Sequence, residues 1–202
     1  MTGVVDYEAG NLKSVETALR FLRAEYFVSS DPERIAAADR LVFPGVGEAL
    51  AAMSVLKKSG LDEAIRLFYH TGKPLLGICI GCQIVLECSE ERDARCLGLV
   101  NGKVKRFARE LGLKVPHMGW NQVLPKRKHA VWRGIEPNSS FYFVHSYYPS
   151  PGSNELVLAE TEYGIKFASA LEQENLVATQ FHPEKSGRVG LEFLANFLSW
   201  RP

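Results

Sequence analysis

The stretch Pro74-Leu75-Leu76-Gly77-Ile78-Cys79-Ile80-Gly81 decides how this chain is read. An apolar run ends abruptly in a cysteine held between two glycines. Such a run reads as a buried strand, and its glycine-flanked end reads as a sharp strand-to-helix turn that exposes a nucleophile. In an open α/β sheet, sites form outside the carboxyl ends of the strands. Gly77 and Gly81 remove side chains that would clash in so tight a bend. At the start of the next helix, backbone N–H groups and the helix dipole favour a thiolate. The alternative for Cys79 is a buried thiol packed as a small hydrophobe. The paired glycines favour the nucleophile.

Outward from this point, the first half of the chain alternates strand and helix. Gly3 to Asp6, Tyr26 to Val28, Arg40 to Phe43 and Leu75 to Cys79 read as strands. Asn11 to Ala24 reads as a helix capped by Asn11, with Leu12, Val15, Leu19 and Leu22 on one face. Asp31-Pro32 opens another, and Glu48 to Lys58, Leu61 to Thr71 and Gln83 to Glu87 follow. Beyond Cys96 the pattern becomes a run of strands: Leu99 to Phe107, Trp120 to Leu124, Phe141 to His145, Leu156 to Thr161, Lys166 to Leu171 and Leu176 to Phe181. The closing segment, Gly187 to Trp200, is an amphipathic helix with Leu191, Leu194 and Leu198 as its core stripe. The expectation is an α/β fold: an open, twisted, mostly parallel sheet flanked by helices, with an antiparallel extension, in a single domain spanning residues 1–202.

Composition narrows the function. The 202 residues suffice for one core, and 46% hydrophobic with 23% charged content excludes a disordered chain. A net charge of +1 gives no whole-molecule reason to bind nucleic acid. The longest apolar run, Pro74 to Leu86, is too short for a bilayer, and no secretory leader is visible, so a cytoplasmic protein is expected. Glu90-Glu91-Arg92-Asp93 and Lys126-Arg127-Lys128-His129 read as solvated turns. Cys79 and Cys82 form a C-x-x-C pair, but Cys88 and Cys96 lack the spacing of a second zinc pair. A redox pair would leave Gly77, Gly81 and a distant histidine unexplained.

That histidine lies in Phe181-His182-Pro183-Glu184. Alternate residues of an extended segment share a face, so His182 and Glu184 can point into one cleft, with Pro183 holding the backbone extended. A base oriented by a carboxylate completes a Cys-His-Glu triad. A metal site would need further ligands, and no convincing set is present; no cofactor is expected. Pro44-Gly45-Val46-Gly47 ends a strand at the same sheet edge. A phosphate cradle there would want a lysine and a hydroxyl that are missing. An oxyanion loop fits better, with the Ile80 N–H as second donor.

With these motifs the chain resembles the class I glutamine amidotransferases. Within them it is similar to the glutaminase subunits of imidazole glycerol phosphate synthases, from histidine biosynthesis. That resemblance rests on Asp6-Tyr7 with Gly10-Asn11-Leu12, on Pro44 to Gly47, on Pro116-His117-Met118-Gly119-Trp120-Asn121, on Tyr142 to Tyr147, and on Phe181 to Ser186. Cys82 departs from the pattern, where relatives commonly carry Met. The resemblance implies a triad of Cys79, His182 and Glu184, and backbone oxyanion donors around Gly45, Val46, Gly47 and Ile80. It implies that Gln83, Glu87 and backbone groups of His145, Ser146 and Tyr147 hold L-glutamine. It further implies a heterodimer with a (β/α)₈-barrel cyclase subunit that receives ammonia internally, with Asn11, His117, Trp120, Asn121, Tyr142 and Lys185 at or near the interface. For Trp120 a core aromatic is the competing reading, and Tyr142 alternates with Phe141 and Phe143 in an apolar strand. The glutaminase of another class I synthase, and a stand-alone cysteine hydrolase of γ-glutamyl bonds, are the rival functions.

Overall fold

The apolar strand that ends at Cys79 lies near the middle of an eight-stranded sheet. The computed structural model describes residues 1–8, 12–108, 110 and 112–202. Through the first half the chain forms β1 (Thr2–Val5), α1 (Leu12–Phe21), β2 (Tyr26–Ser29), α2 (Pro32–Ala36), β3 (Arg40–Phe43), α3 (Ala49–Ser59), α4 (Leu61–His70), β4 (Leu75–Ile78) and α5 (Ile80–Ile84). Then come β5 (Cys88–Ser89), β6 (Ala94–Arg95), β7 (Gly102–Arg106), β8 (His117–Gln122), β9 (Leu124–Pro125), β10 (Ser140–His145), β11 (Tyr147–Pro151), β12 (Val157–Tyr163), β13 (Ile165–Gln173), β14 (Leu176–Thr179) and α6 (Gly187–Ser199). The main sheet runs β2-β1-β3-β4-β14-β13-β12-β9. Its pairings are parallel from β2 to β14 and antiparallel from β14 to β9. Two smaller sheets, β10-β8 and β11-β7-β5-β6, lie beside it.

Strand alternation divides the core into two layers. Val5, Leu41, Phe43 and Leu75 face α3 and α4, meeting Met53, Leu56, Ile65 and Phe68. Val4, Val42, Leu76 and Ile78 face α1 and α6, meeting Val15, Leu19, Phe193 and Phe197. Strands β1, β3, β4 and β14 are buried on both faces, as parallel strands covered by crossover helices must be. The Arg40 guanidinium donates to the carbonyls of Phe197 and Trp200, 3.2 and 2.8 Å away, tying the end of α6 to the sheet. No helix among the described residues is long and apolar enough to cross a membrane.

Several elements differ from expectation for identifiable reasons. α5 begins at Ile80 rather than Gln83, because Cys79 alone reverses the chain at φ 55°, ψ −102°. The strand expected from Leu99 starts at Gly102: residues 97–100 instead donate to the carbonyls of Ile84, Val85 and Leu86, satisfying the end of α5. β11 carries Pro149 and Pro151, which hid it; it is an edge strand, where a missing N–H is tolerated. β8 begins at His117, three residues before the expected start. In α6 the buried stripe is Phe193, Leu194 and Phe197, while Leu191 and Leu198 are only partly buried. The expected helix cap Asn11 lies outside the described residues.

Candidate active site

Cys79 stands where β4 becomes α5, with its amide donating to the Thr179 carbonyl at 2.7 Å and its carbonyl accepting from Gln83 N at 3.1 Å. A Cβ on Gly77 would come within 2.8 Å of the Gly81 carbonyl oxygen, and one on Gly81 would overlap the Phe43 carbonyl oxygen. The glycines therefore let the elbow pack directly on β3. Cys79 is 5% exposed and opens into a cavity of about 370 Å³. Cys82 is fully buried, and burial holds its thiol well above its ordinary range. The two cysteines of the C-x-x-C pair thus sit in unlike environments. The described cysteines are all free thiols.

His182 and Glu184 are brought to the same place by a route other than the expected one. Pro183–Lys185 is a single 3-10 turn, not an extended segment. His182 Nδ1 is 2.8 Å from Glu184 Oε1, and both side chains are buried. The ring's Nδ1–H donates to the carboxylate, which leaves Nε2 for the sulfur. Burial works against charge on His182, but the neighbouring Cys79 and then Glu184 outweigh it and raise its pKa. His182 Nε2 has no well-formed hydrogen bond, so the His182–Cys79 contact is loose, as such contacts often are before substrate binds. The turn is fixed to β10: His182 N donates to the Tyr142 carbonyl at 2.9 Å, and Tyr142 N donates to Ser186 Oγ at 3.0 Å.

The cavity wall opposite the elbow is formed by Val144 to Tyr147. Val46, Gly47 and Ile80 line it; Gly45 lies buried just behind them. Gly47 adopts φ +101°, a conformation that a side chain would strain. Of the expected glutamine ligands, Gln83, His145, Ser146 and Tyr147 line the cavity. Glu87 does not: it is exposed, and its carboxylate accepts from Gly102 N at 2.8 Å. Glu91 is the acidic residue at the cavity instead. Sequence reading put it in a solvated loop, yet it lines the cavity and accepts from Ala49 N at 2.7 Å. The only signal that could have found it was an acidic residue soon after the elbow helix.

The residues expected near a partner divide into two groups. Met118 and Trp120 point outward from β8, at 63% and 59% exposure, and Trp120 lies edge-on to Tyr142 with centroids 6.2 Å apart. The core reading of Trp120 is therefore set aside. Lys185 is exposed and Tyr142 half-buried. His117 and Asn121 turn inward. His117 is buried, stacked between Phe143 and Tyr163, with Nδ1 2.9 Å from His145 Nε2. His145 Nδ1 is 2.7 Å from the Tyr147 carbonyl, and Asn121 Nδ2 is 3.2 Å from His117 Nε2. A carbonyl can only accept, so His145 carries its proton on Nδ1, His117 donates from Nδ1, and Asn121 donates to His117. Both rings are neutral: burial lowers His117 to about 4 and His145 to about 3. Among the described residues no group of three or more His, Cys, Asp or Glu side chains is placed to hold a metal.

Known proteins resemble this chain over nearly its whole length. Residues 3–200 match the family model for glutamine amidotransferase class-I. The chain belongs to the class I glutamine amidotransferases. It is 49% identical over 201 residues to imidazole glycerol phosphate synthase subunit HisH of Nitrosococcus oceani, covering 98% of this chain and 96% of the relative. With the subunit of the same name from Acinetobacter baylyi it shares 47% over 200 residues, covering 98% and 97%. Its fold matches that of PurLQS from Thermotoga maritima, with a TM-score of 0.75 at 17% identity over 98% of this chain and 96% of that one. A solved glutamine amidotransferase superposes with a TM-score of 0.73 at 21% identity, over 97% and 98%. The amidotransferase is thus an enzyme of the HisH type, and its fold is the class I fold.

Proposed function

We propose that this amidotransferase hydrolyses L-glutamine through Cys79, His182 and Glu184 and delivers the ammonia to a cyclase partner. The placement of Cys79, Glu91 and the 145–147 backbone around one cavity, with His182 behind the sulfur, carries this reading. The Cys79 thiolate attacks the side-chain amide carbon. N–H groups of the Gly45–Gly47 loop and of Ile80 receive the negative charge on the oxygen. His182, as imidazolium, gives its proton to the departing amine, which leaves as ammonia. The thioester is then attacked by water, whose proton passes to His182, and the thiolate leaves as glutamate forms. Glu184 keeps the ring oriented and charged at the right moments. Glu91 is the cavity's carboxylate for the α-ammonium group, in place of the expected Glu87, and Gln83 and the 145–147 backbone hold the rest.

Ammonia released to water is protonated and lost as a nucleophile. The relatives named HisH are subunits of a synthase, which favours an acceptor site in a second chain. The partner in this reading is a (β/α)₈-barrel cyclase making imidazole glycerol phosphate and aminoimidazole carboxamide ribotide in histidine biosynthesis. Together they form a heterodimer seated on the exposed Met118–Trp120 face and Lys185, with residues 1–202 acting as one amidotransferase domain. Four unbridged thiols suit a cytoplasmic setting. Glutamine turnover is measured on the chain alone, with the cyclase, and with the cyclase plus its nucleotide. Weak activity alone and strong stimulation by both together is the expected result. Full activity of the isolated chain favours a stand-alone hydrolase and overturns the proposal.

A further inference from the structure

Gln180 immediately precedes the Phe181-His182-Pro183-Glu184 motif and is completely buried. Its backbone N–H donates to the Ser169 carbonyl at 2.9 Å, which fixes its position at the end of β14. Its side chain lies between two groups of the site. Nε2 is 3.6 Å from the Cys79 sulfur, a hydrogen-bonding distance for sulfur. Oε1 accepts from Gln83 Nε2 at 2.9 Å.

The orientation of that carboxamide is forced. Gln83 Nε2 is also 3.0 Å from the Tyr147 carbonyl, which can only accept. Gln83 must therefore present its NH₂ to both neighbours, one hydrogen to each. Gln180 must answer with its oxygen, and its own NH₂ is left to face the sulfur. The Tyr147 carbonyl is in turn held by His145 Nδ1–H, so the chain of donors is anchored at its far end by the buried histidine pair.

We infer that Gln180 is a catalytic residue of the glutamine hydrolysis proposed above: its carboxamide N–H donates to the Cys79 sulfur and stabilises the thiolate, with Gln83 fixing which end faces the nucleophile. The inference rests on that proposed reaction. When the thiol ionises, its proton goes to His182, and the N–H of Gln180 strengthens its bond to the sulfur. A hydrogen bond to a charged acceptor is about twice as strong as one to a neutral acceptor. The sulfur lone pair then forms the bond to the amide carbon, and the N–H relaxes. It is engaged again when the thioester breaks and sulfur leaves as thiolate. Both halves of the reaction use the same donor.

The test is site-resolved alkylation of the full chain by iodoacetamide across a pH series, read by mass spectrometry at Cys79, with exposed Cys88 as internal control. Gln180→Met keeps bulk and removes the donor; Gln180→Glu keeps the shape and the acceptor for Gln83 but sets an oxygen against the sulfur. Gln180→Met is expected to slow Cys79 alkylation at neutral pH about tenfold, with rates converging in alkali, and Gln180→Glu to slow it further. The Cys88 profile stays unchanged. In glutamine turnover, kcat falls by a similar factor while KM stays within about twofold. If Cys79 reacts in both variants as in the unaltered protein, Gln180 serves packing alone and the inference is overturned. If Gln180→Met does not fold, Gln180→Glu decides. Glutamine turnover surviving in Cys79→Ala would instead refute the reaction itself, whatever the alkylation shows.

Discussion

On one side of the cleft, Cys79 and the Gly45–Gly47 loop leave the ends of parallel strands through connections of one and five residues. On the other, the ends of β10 and β11 line the same cavity, backed by buried polar side chains of β8. The first wall is positioned by steric exclusion: Gly77 and Gly81 let backbone pack on backbone, and nothing else fits. The second is positioned by hydrogen bonds of fixed direction, from Asn121 through His117 and His145 to the Tyr147 carbonyl. A wall made by exclusion resists change until it breaks. A wall made by oriented hydrogen bonds responds to protonation and to the movement of any member.

Three measurements separate the two. The largest effect belongs to Gly81→Ala, whose methyl would overlap the Phe43 carbonyl oxygen. Overpacking against backbone has no side chain to yield, and a loss of about 3 kcal/mol or more is expected in urea unfolding. A loss under about 1 kcal/mol would mean that the elbow can shift, and that the first wall is not held by exclusion.

The second wall is expected to fail gradually in acid. His117 and His145, buried, are lowered to about 4 and about 3, whereas in the unfolded chain they titrate near 6.5. As pH falls below 6.5 the unfolded state takes up protons that the native state refuses, so stability drops. The loss approaches about 1.4 kcal/mol per pH unit for each ring below pH 6. His182, raised instead, is protonated in the native state and adds a slope of opposite sign above about pH 6, which fades once the unfolded chain is protonated too. Urea unfolding between pH 6 and 5, where the unfolded chain's His182 is already mostly protonated, measures the effect, and His117→Asn should flatten the slope by about one ring's share. An unchanged slope would show that the pair already holds a proton in the native state.

The first wall was legible in the sequence because its information is local. Glycines flanking Cys79, Pro44 to Gly47 ending a strand, and His182 two residues before Glu184 each lie within five residues. Even there the residues after His182 proved to be the 3-10 turn Pro183–Lys185, because Pro-Glu-Lys fits a one-turn helix as readily as an extended run. The second wall was not legible. The inward turn of His117 and Asn121 depends on the register of β8 against β10, which pairs His117 with His145. Nothing near Glu91 in the chain says that its loop folds back over the start of α3, and nothing near Gln180 says that β14 sets it beside β4. β11 was concealed by prolines that only an edge position permits.

In the proposed reaction Cys79, and not Cys82 three residues on, is the thiol that acts on glutamine. That assignment is tested most directly by a glutamine-shaped diazoketone, 6-diazo-5-oxo-L-norleucine, added to the chain with and without excess glutamine, followed by peptide mass mapping. A single adduct on Cys79, suppressed by glutamine and absent in Cys79→Ala, is the predicted result. An adduct on Cys82 or Cys88, or labelling of Cys79 that glutamine does not suppress, would contradict it.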